Sequence, residues 1–175
     1  MAGYLISVRP ERWWRLEAWH DRGEVPADCV TDLRTSSNAL SVFEVSDTRE
    51  ELEVMAALAL EKAIGGRDRR QSLDGSTGLL FEPGLLDHLQ IHASASNGRT
   101  KDVRVNARHR DLVELSGAKL ASLALELSKA CQPQTYYKPQ LLRAVVTAVG
   151  EGRIAKTSIP DRVHEQLAEQ GLAIS

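Results

Sequence analysis

Tyr4, Ile6 and Val8 alternate with Leu5 and Ser7, a period of two that predicts a short opening strand. Pro10 follows where a helix tolerates its missing N–H, and a helix is expected to about Asp21, closed by Gly23. Trp13, Leu16, Trp19 and His20 would share one face of it, with Trp14 pointing elsewhere. A second strand is expected near Cys29–Leu33 and a third over Leu40–Val45, joined through Thr35-Ser36-Ser37-Asn38 as a hairpin. Asp47 and Glu50 carry the spacing of a capping box, and the helix they open is apolar all round between Val54 and Leu60. Such a helix needs cover on more than one side.

Beyond Gly65 the pattern breaks into a charged, Gly-rich loop, GGRDRRQSLDGSTG, which has neither a Walker nor a dinucleotide-binding glycine pattern. Gly78 to Phe81 reads as a further strand. Leu89, Ile91, Ala93 and Ala95 then alternate with His88, Gln90, His92 and Ser94. After Ser96-Asn97-Gly98, Val103, Val105 and Ala107 alternate with Asp102, Arg104 and Asn106. This predicts a hairpin over 88–107, in a register that sets His92 across from Asp102. The last third carries helical stripes: Leu120, Leu123, Ala124 and Leu127; Leu141, Leu142, Val145 and Val149; Ile159, Val163 and Leu167 before Gly171.

The elements therefore predict an α+β fold with a mostly antiparallel sheet and a C-terminal helical segment. Residues 1–112 would form the sheet domain, and residues 113–175 a helical segment packed on the same core. The order strand-helix-strand-strand-helix-strand admits a ferredoxin-like split βαβ unit.

Charge and composition narrow the function. The net charge is -2, with 22 basic and 24 acidic residues, so no global basic field favours nucleic acid. The 16 Arg against 6 Lys suggest a bacterial chain from a GC-rich genome. Cys29 and Cys131 are too few and too scattered for a disulfide framework, and no signal-peptide pattern opens the chain; a reduced, cytoplasmic protein is expected. The longest apolar run, Val54–Leu60, is far too short to span a membrane.

Three kinds of site compete. His88, His92, Asp102 and His109 could together hold a divalent ion and activate water, the requirement of a metal-dependent hydrolase or nuclease. Strand residues four apart lie about 13 Å from each other, however, so the pair alone cannot chelate one ion. No metal site and no cofactor is therefore assigned. A second set, Arg67, Arg69, Arg70, Arg99, Lys101 and Arg104, puts a basic loop beside a basic hairpin, suited to nucleic-acid phosphates. The third is aromatic: Trp14, which shares a short helix with Trp13 and Trp19, and Tyr136-Tyr137 in the Pro-flanked stretch QPQTYYKPQ. Exposed Trp and Tyr anchor protein interfaces. The leading expectation is a non-catalytic accessory protein that binds a protein partner or self-assembles. Nucleic-acid binding comes second and metal-dependent hydrolysis third.

Overall fold

The computed structural model describes residues 3–13, 22–65 and 71–174. Strand β1 (Gly3–Val8) leads through a 3-10 turn at Pro10–Arg12 and helix α1 (Ala27–Asp32) to β2 (Thr35–Ser36) and β3 (Ala39–Val45). Helix α2 (Thr48–Gly65), β4 (Ser76–Phe81), α3 (Pro83–His88), β5 (His92–Ala95), α4 (Val103–Ala107) and β6 (His109–Val113) follow. The chain continues with α5 (Gly117–Ala130), β7 (Gln134–Tyr136), α6 (Lys138–Gly150), a 3-10 turn at Lys156–Ser158 and α7 (Asp161–Glu169). The protein is α+β. Its sheet runs β5-β6-β3-β1-β4-β7, every pairing is antiparallel, and β2 joins β3 beside this path.

Alternation along the strands divides the core between the two sheet faces. Leu5, Phe43 and Val45 face α2, whose Val54, Met55 and Leu60 they pack against, and Val105 of α4, α6 and α7 complete that side. Ile6, Val8, Leu40, Val42, Leu79, Phe81 and Leu112 face the other way, onto Trp13, Cys29 and Leu33 around α1, Leu86 of α3, and Leu123 and Leu127 of α5. Helix α2 lies between the sheet and α6, which accounts for its apolar circumference. Each fully buried Leu contributes about 1.5–3 kcal/mol. Gly78 permits the close approach of α2: a Cβ there would stand 2.9 Å from Leu5 Cδ1 and 3.3 Å from Met55 Sδ.

Leu40 of β3 meets Thr35 of β2 on one side and Leu112 of β6 on the other, so β2 shares the β1 edge of β3, β6 takes the other edge, and the strand order differs from that of a ferredoxin-like split βαβ unit, as do the layers. Residues of α1 join the core opposite α2, where the ferredoxin-like arrangement puts both helices on one face.

Three local expectations need correction. Residues 27–32 are helical, starting behind Pro26, with Cys29, Asp32 and Leu33 turned inward at helical spacing. The loop joining β2 and β3 has two residues, Ser37 and Asn38, both at positive φ (53° and 57°), as a tight antiparallel hairpin requires. The 88–107 hairpin does not form. His88 ends α3, β5 pairs with β6 rather than with 103–107, and Val103–Ala107 is a short helix capped by Asp102. The cap outcompetes the strand pattern because Asp102 accepts the N–H groups of Arg104 (2.9 Å) and Val105 (3.2 Å) and pairs with Arg153. Of the apolar positions at 103 and 105 only Val105 is buried; Val103 is exposed.

Candidate functional site

Strands β1 and β3 pair only from Gly3↔Val45 to Leu5↔Phe43. Beyond Leu5 they part: β1 stays with β4 to Val8↔Thr77, while Leu40 of β3 pairs with Thr35 and Leu112. A cavity of about 530 Å³ opens at the fork, lined by Ser7, Arg9, Asp32, Arg34, Ser41 and Lys62 among others. A second, of about 600 Å³, adjoins it over the face of β3 and β6, lined by Ser36, Ser37, Glu61, Asn97, Arg99, Thr100, His109 and Asp111. Both include Arg34, Ser41, Phe43 and Leu58, so they form one cleft. Each is of the size that holds small ligands.

The cleft walls are stiff. Asn106 ties the 97–102 loop: its Oδ1 accepts the Thr100 N–H at 2.8 Å and the Thr100 hydroxyl at 2.9 Å, and its Nδ2 donates to the Thr100 carbonyl at 2.8 Å. A Cβ on Gly98 would lie 2.8 Å from Asn106 Cα, so only glycine fits. Glu61 Oε1 accepts the Lys101 N–H at 2.8 Å, tying the loop to α2. On the opposite rim the left-handed Ser37 and Asn38 hold the hairpin tip.

Charge inside the cleft is unevenly matched. Asp32 is fully engaged, accepting the Arg9 N–H and Nε at 2.7 Å each and Trp13 Nε1 at 2.9 Å. Burial alone would raise its pKa, but the hydrogen bonds from Arg9 and Trp13 together outweigh burial and hold it below the ordinary value. Lys62 has no ion pair among the described residues; its ammonium donates to the hydroxyls of Ser7 (3.0 Å) and Ser76 (3.4 Å). Although the side chain keeps solvent access, desolvation of the ammonium lowers its pKa, Arg34 and Arg9 lower it further, and Asp32 opposes them. The exposed side chains of Arg34 and Arg99 make no hydrogen bond or ion pair among the described residues.

His109 lies at the β6 end, its ring edge-on to Phe43 with centroids 5.0 Å apart and Nδ1 2.7 Å from Ser96 Oγ. Its Nε2 is 3.9 Å from Asp111 Oδ1, which accepts a long hydrogen bond of 3.4 Å from the Ser41 hydroxyl. Desolvation lowers the pKa of His109, Asp111 opposes that, and Arg110 and Arg99 reinforce it.

The sequence candidates are dispersed. His88 and His92 are exposed on α3 and β5, Asp102 is a buried helix cap, and only His109 reaches the cleft. Among the described residues no three His, Cys, Asp or Glu side chains converge as a metal site requires. Arg99 lines the cleft, Lys101 is exposed beside it, and Arg104 lies 3.9 Å from Glu53; Arg67, Arg69 and Arg70 fall outside the described residues. Trp14 also falls outside them. Tyr136 is buried in β7 and its hydroxyl donates to Glu51 at 3.0 Å, so it is no interface anchor, whereas Tyr137 is 64% exposed. Burial pushes the pKa of Cys29 up to about 11, with help from Asp32 and Asp28, and burial alone does the same for Cys131; neither is an activated nucleophile.

Arg34, Ser41, Lys62 and Asp111 escaped the sequence reading. Ser41, Lys62 and Asp111 come from three different elements and Arg34 from the link between α1 and β2, and they share no motif. The one available signal was the charged pair Glu61-Lys62, which directly follows the apolar run Val54–Leu60.

The described fold and site thus define an α+β protein with a seven-stranded antiparallel sheet covered on both faces and a polar cleft where two central strands separate. No known protein family, curated protein or solved structure matches this chain. No helix among the described residues is long and apolar enough to cross a membrane.

Proposed function

We propose that this chain is a non-catalytic binding protein that holds an anionic partner group in the cleft between α2, the β2–β3 hairpin tip and the 97–102 loop. The observation that carries this reading is the set Lys62, Arg34 and Arg99, three cations on one cleft without an ion-paired carboxylate among the described residues. An anion there would gain charge-assisted hydrogen bonds and offset the desolvation, and the smaller repulsion from Arg34 and Arg9, that lower the pKa of Lys62. Phosphate is the simplest such group. It also preserves, at Arg99 and Lys101, the chemistry expected of a nucleic-acid contact.

The test is a titration of the 15N-labelled protein with inorganic phosphate at low and high sodium chloride. Amide shifts should concentrate at residues 34–41, 58–62 and 97–111 and fade as salt rises. Shifts scattered over the surface, or none, would refute the reading.

A protein partner or a second copy of the chain is the other reading, favoured by one feature. Tyr137 stands exposed beside β7, which forms one edge of the sheet, and an edge strand presents backbone groups for pairing. Light scattering of the wild type and of Tyr137→Ser tests it: a dimer lost in the variant supports it, and a monomer in both counts against self-assembly.

A further inference from the structure

We infer that the cleft takes a phosphomonoester whose far end offers hydrogen-bond donors, as a sugar phosphate or a nucleoside monophosphate does, rather than a bare anion. The inference rests on the anion-binding reading above and concerns what lies beyond the anion.

The two halves of the cleft differ in kind. At the fork of β1 and β3, Lys62 and Arg34 supply cations, and the one carboxylate there, Asp32, already accepts three hydrogen bonds from Arg9 and Trp13. Over β6 the charges even out, with Arg34 and Arg99 set against two carboxylates, Glu61 and Asp111. Asp111 lines the cavity with its side chain 31% exposed. Its only contacts among the described residues are the 3.4 Å bond from Ser41 and His109 Nε2 at 3.9 Å, a separation too long for a hydrogen bond. A carboxylate accepts through about four lone-pair sites, so Asp111 retains acceptor capacity facing the cavity. Glu61 of α2, which accepts the Lys101 N–H, lines the same cavity.

A second phosphate at that end would set its charge against Glu61 and Asp111 as well as beside Arg99, and would bring Asp111 no donor. A group rich in O–H or N–H donors would satisfy Asp111, with Thr100 and Asn97 beside it to complete the polar contacts. A bare phosphate would draw on Arg99 but leave the acceptor capacity of Asp111 unmet. Vicinal sugar hydroxyls and the N–H groups of a purine both present donors of this kind, and both are found on phosphomonoesters.

The test is calorimetry on the full chain with four probes: inorganic phosphate, ribose 5-phosphate, guanosine 5′-monophosphate and guanosine. At least one ester should bind about tenfold more tightly than phosphate, because a hydrogen bond to a charged group is worth about 1.5–3 kcal/mol. Equal affinity for the two esters would assign the donors to the sugar, and a preference for guanosine 5′-monophosphate would assign them to the base. Asp111→Asn should erase the advantage over phosphate while leaving phosphate binding as strong or stronger. Lys62→Met should weaken all three anions about tenfold. Asn97→Ala, a change at an exposed loop position that lines only the β6 half, is the second variant should Asp111→Asn unfold, and it should reduce ester binding alone. Phosphate binding as tightly as both esters would overturn this inference and leave the anion reading standing. Guanosine binding as tightly as its monophosphate, or no binding by any probe, would overturn both.

Discussion

At its N-terminal end α2 brings Arg49, Glu50 and Glu53 against Arg104 and Arg108 of the α4 region and Arg153 beyond α6; at its C-terminal end it brings Glu61 and Lys62 against Arg34, Arg99 and Asp111. The first group closes on itself. Glu53, 5% exposed, receives Arg108 at 3.0 Å, Arg49 at 3.2 Å and Arg153 at 3.4 Å, while Asp102, Glu50 and Glu151 take up the remaining guanidinium nitrogens of Arg153 and Arg108. The second stays open, with three cations unpaired and a carboxylate short of donors among the described residues. Two charged clusters on one helix thus follow different rules. Where charge is buried, each ion is matched, because an unmatched one would cost several kcal/mol. Where the cluster borders an open cleft the mismatch costs little, because solvent can reach the unmatched groups.

Substitutions that leave the matched cluster unbalanced should act on stability, and those in the cleft on binding. The largest effect is expected for Glu53→Gln, which removes the buried charge that Arg108 and Arg153 share while Glu50, Asp102 and Glu151 still hold them: urea denaturation should show a loss of about 3 kcal/mol. The exposed partners Arg49 and Arg104 add little to this figure. Gly98→Ala comes next, at about 2 kcal/mol, because its methyl meets the Asn106 backbone. It should also displace Arg99 and weaken phosphate binding, so a variant of unchanged stability would contradict the tight loop packing.

Asp32→Asn should cost about 1.5 kcal/mol by weakening the bonds from Arg9 and Trp13. Its folded pKa lies below the ordinary 3.8, so the deficit should be fully present above that pH and disappear as pH falls through the folded value. A deficit that persists at pH 2 would mean that packing rather than charge is at stake. The smallest stability change, under about 0.5 kcal/mol, belongs to Arg34→Ala, since the side chain is exposed and unpaired among the described residues. Calorimetry should nevertheless find its phosphate affinity reduced about tenfold.

The comparison also marks where sequence reasoning reached and where it stopped. Regular patterns were legible: β1, β3, the all-apolar α2 and the stripes of α5, α6 and α7 each declare themselves by period. The capping bonds around α2 were legible too, with the Glu50 N–H donating to Asp47 at 2.8 Å and the Ser46 N–H to Glu50 at 2.8 Å. Residues 103–107 misled because a strand-like alternation was overridden by a contact 51 positions away, Asp102 with Arg153. Strand β7 was hidden in a Pro-flanked stretch of three paired residues, and its Tyr136 turned inward to Glu51. The cleft could not be foreseen, because it arises from two strands parting rather than from any run of residues. Of the residues singled out beforehand, Arg99 and His109 reach it.

The most direct test of the distinction is the melting temperature of the wild type and of the Arg34→Ala/Lys62→Met double variant, each with and without inorganic phosphate. The account predicts equal melting temperatures without phosphate, a rise on adding it to the wild type through preferential binding to the folded state, and no rise in the variant. A double variant that melts far lower without phosphate, or that is stabilised by phosphate as much as the wild type, would contradict it.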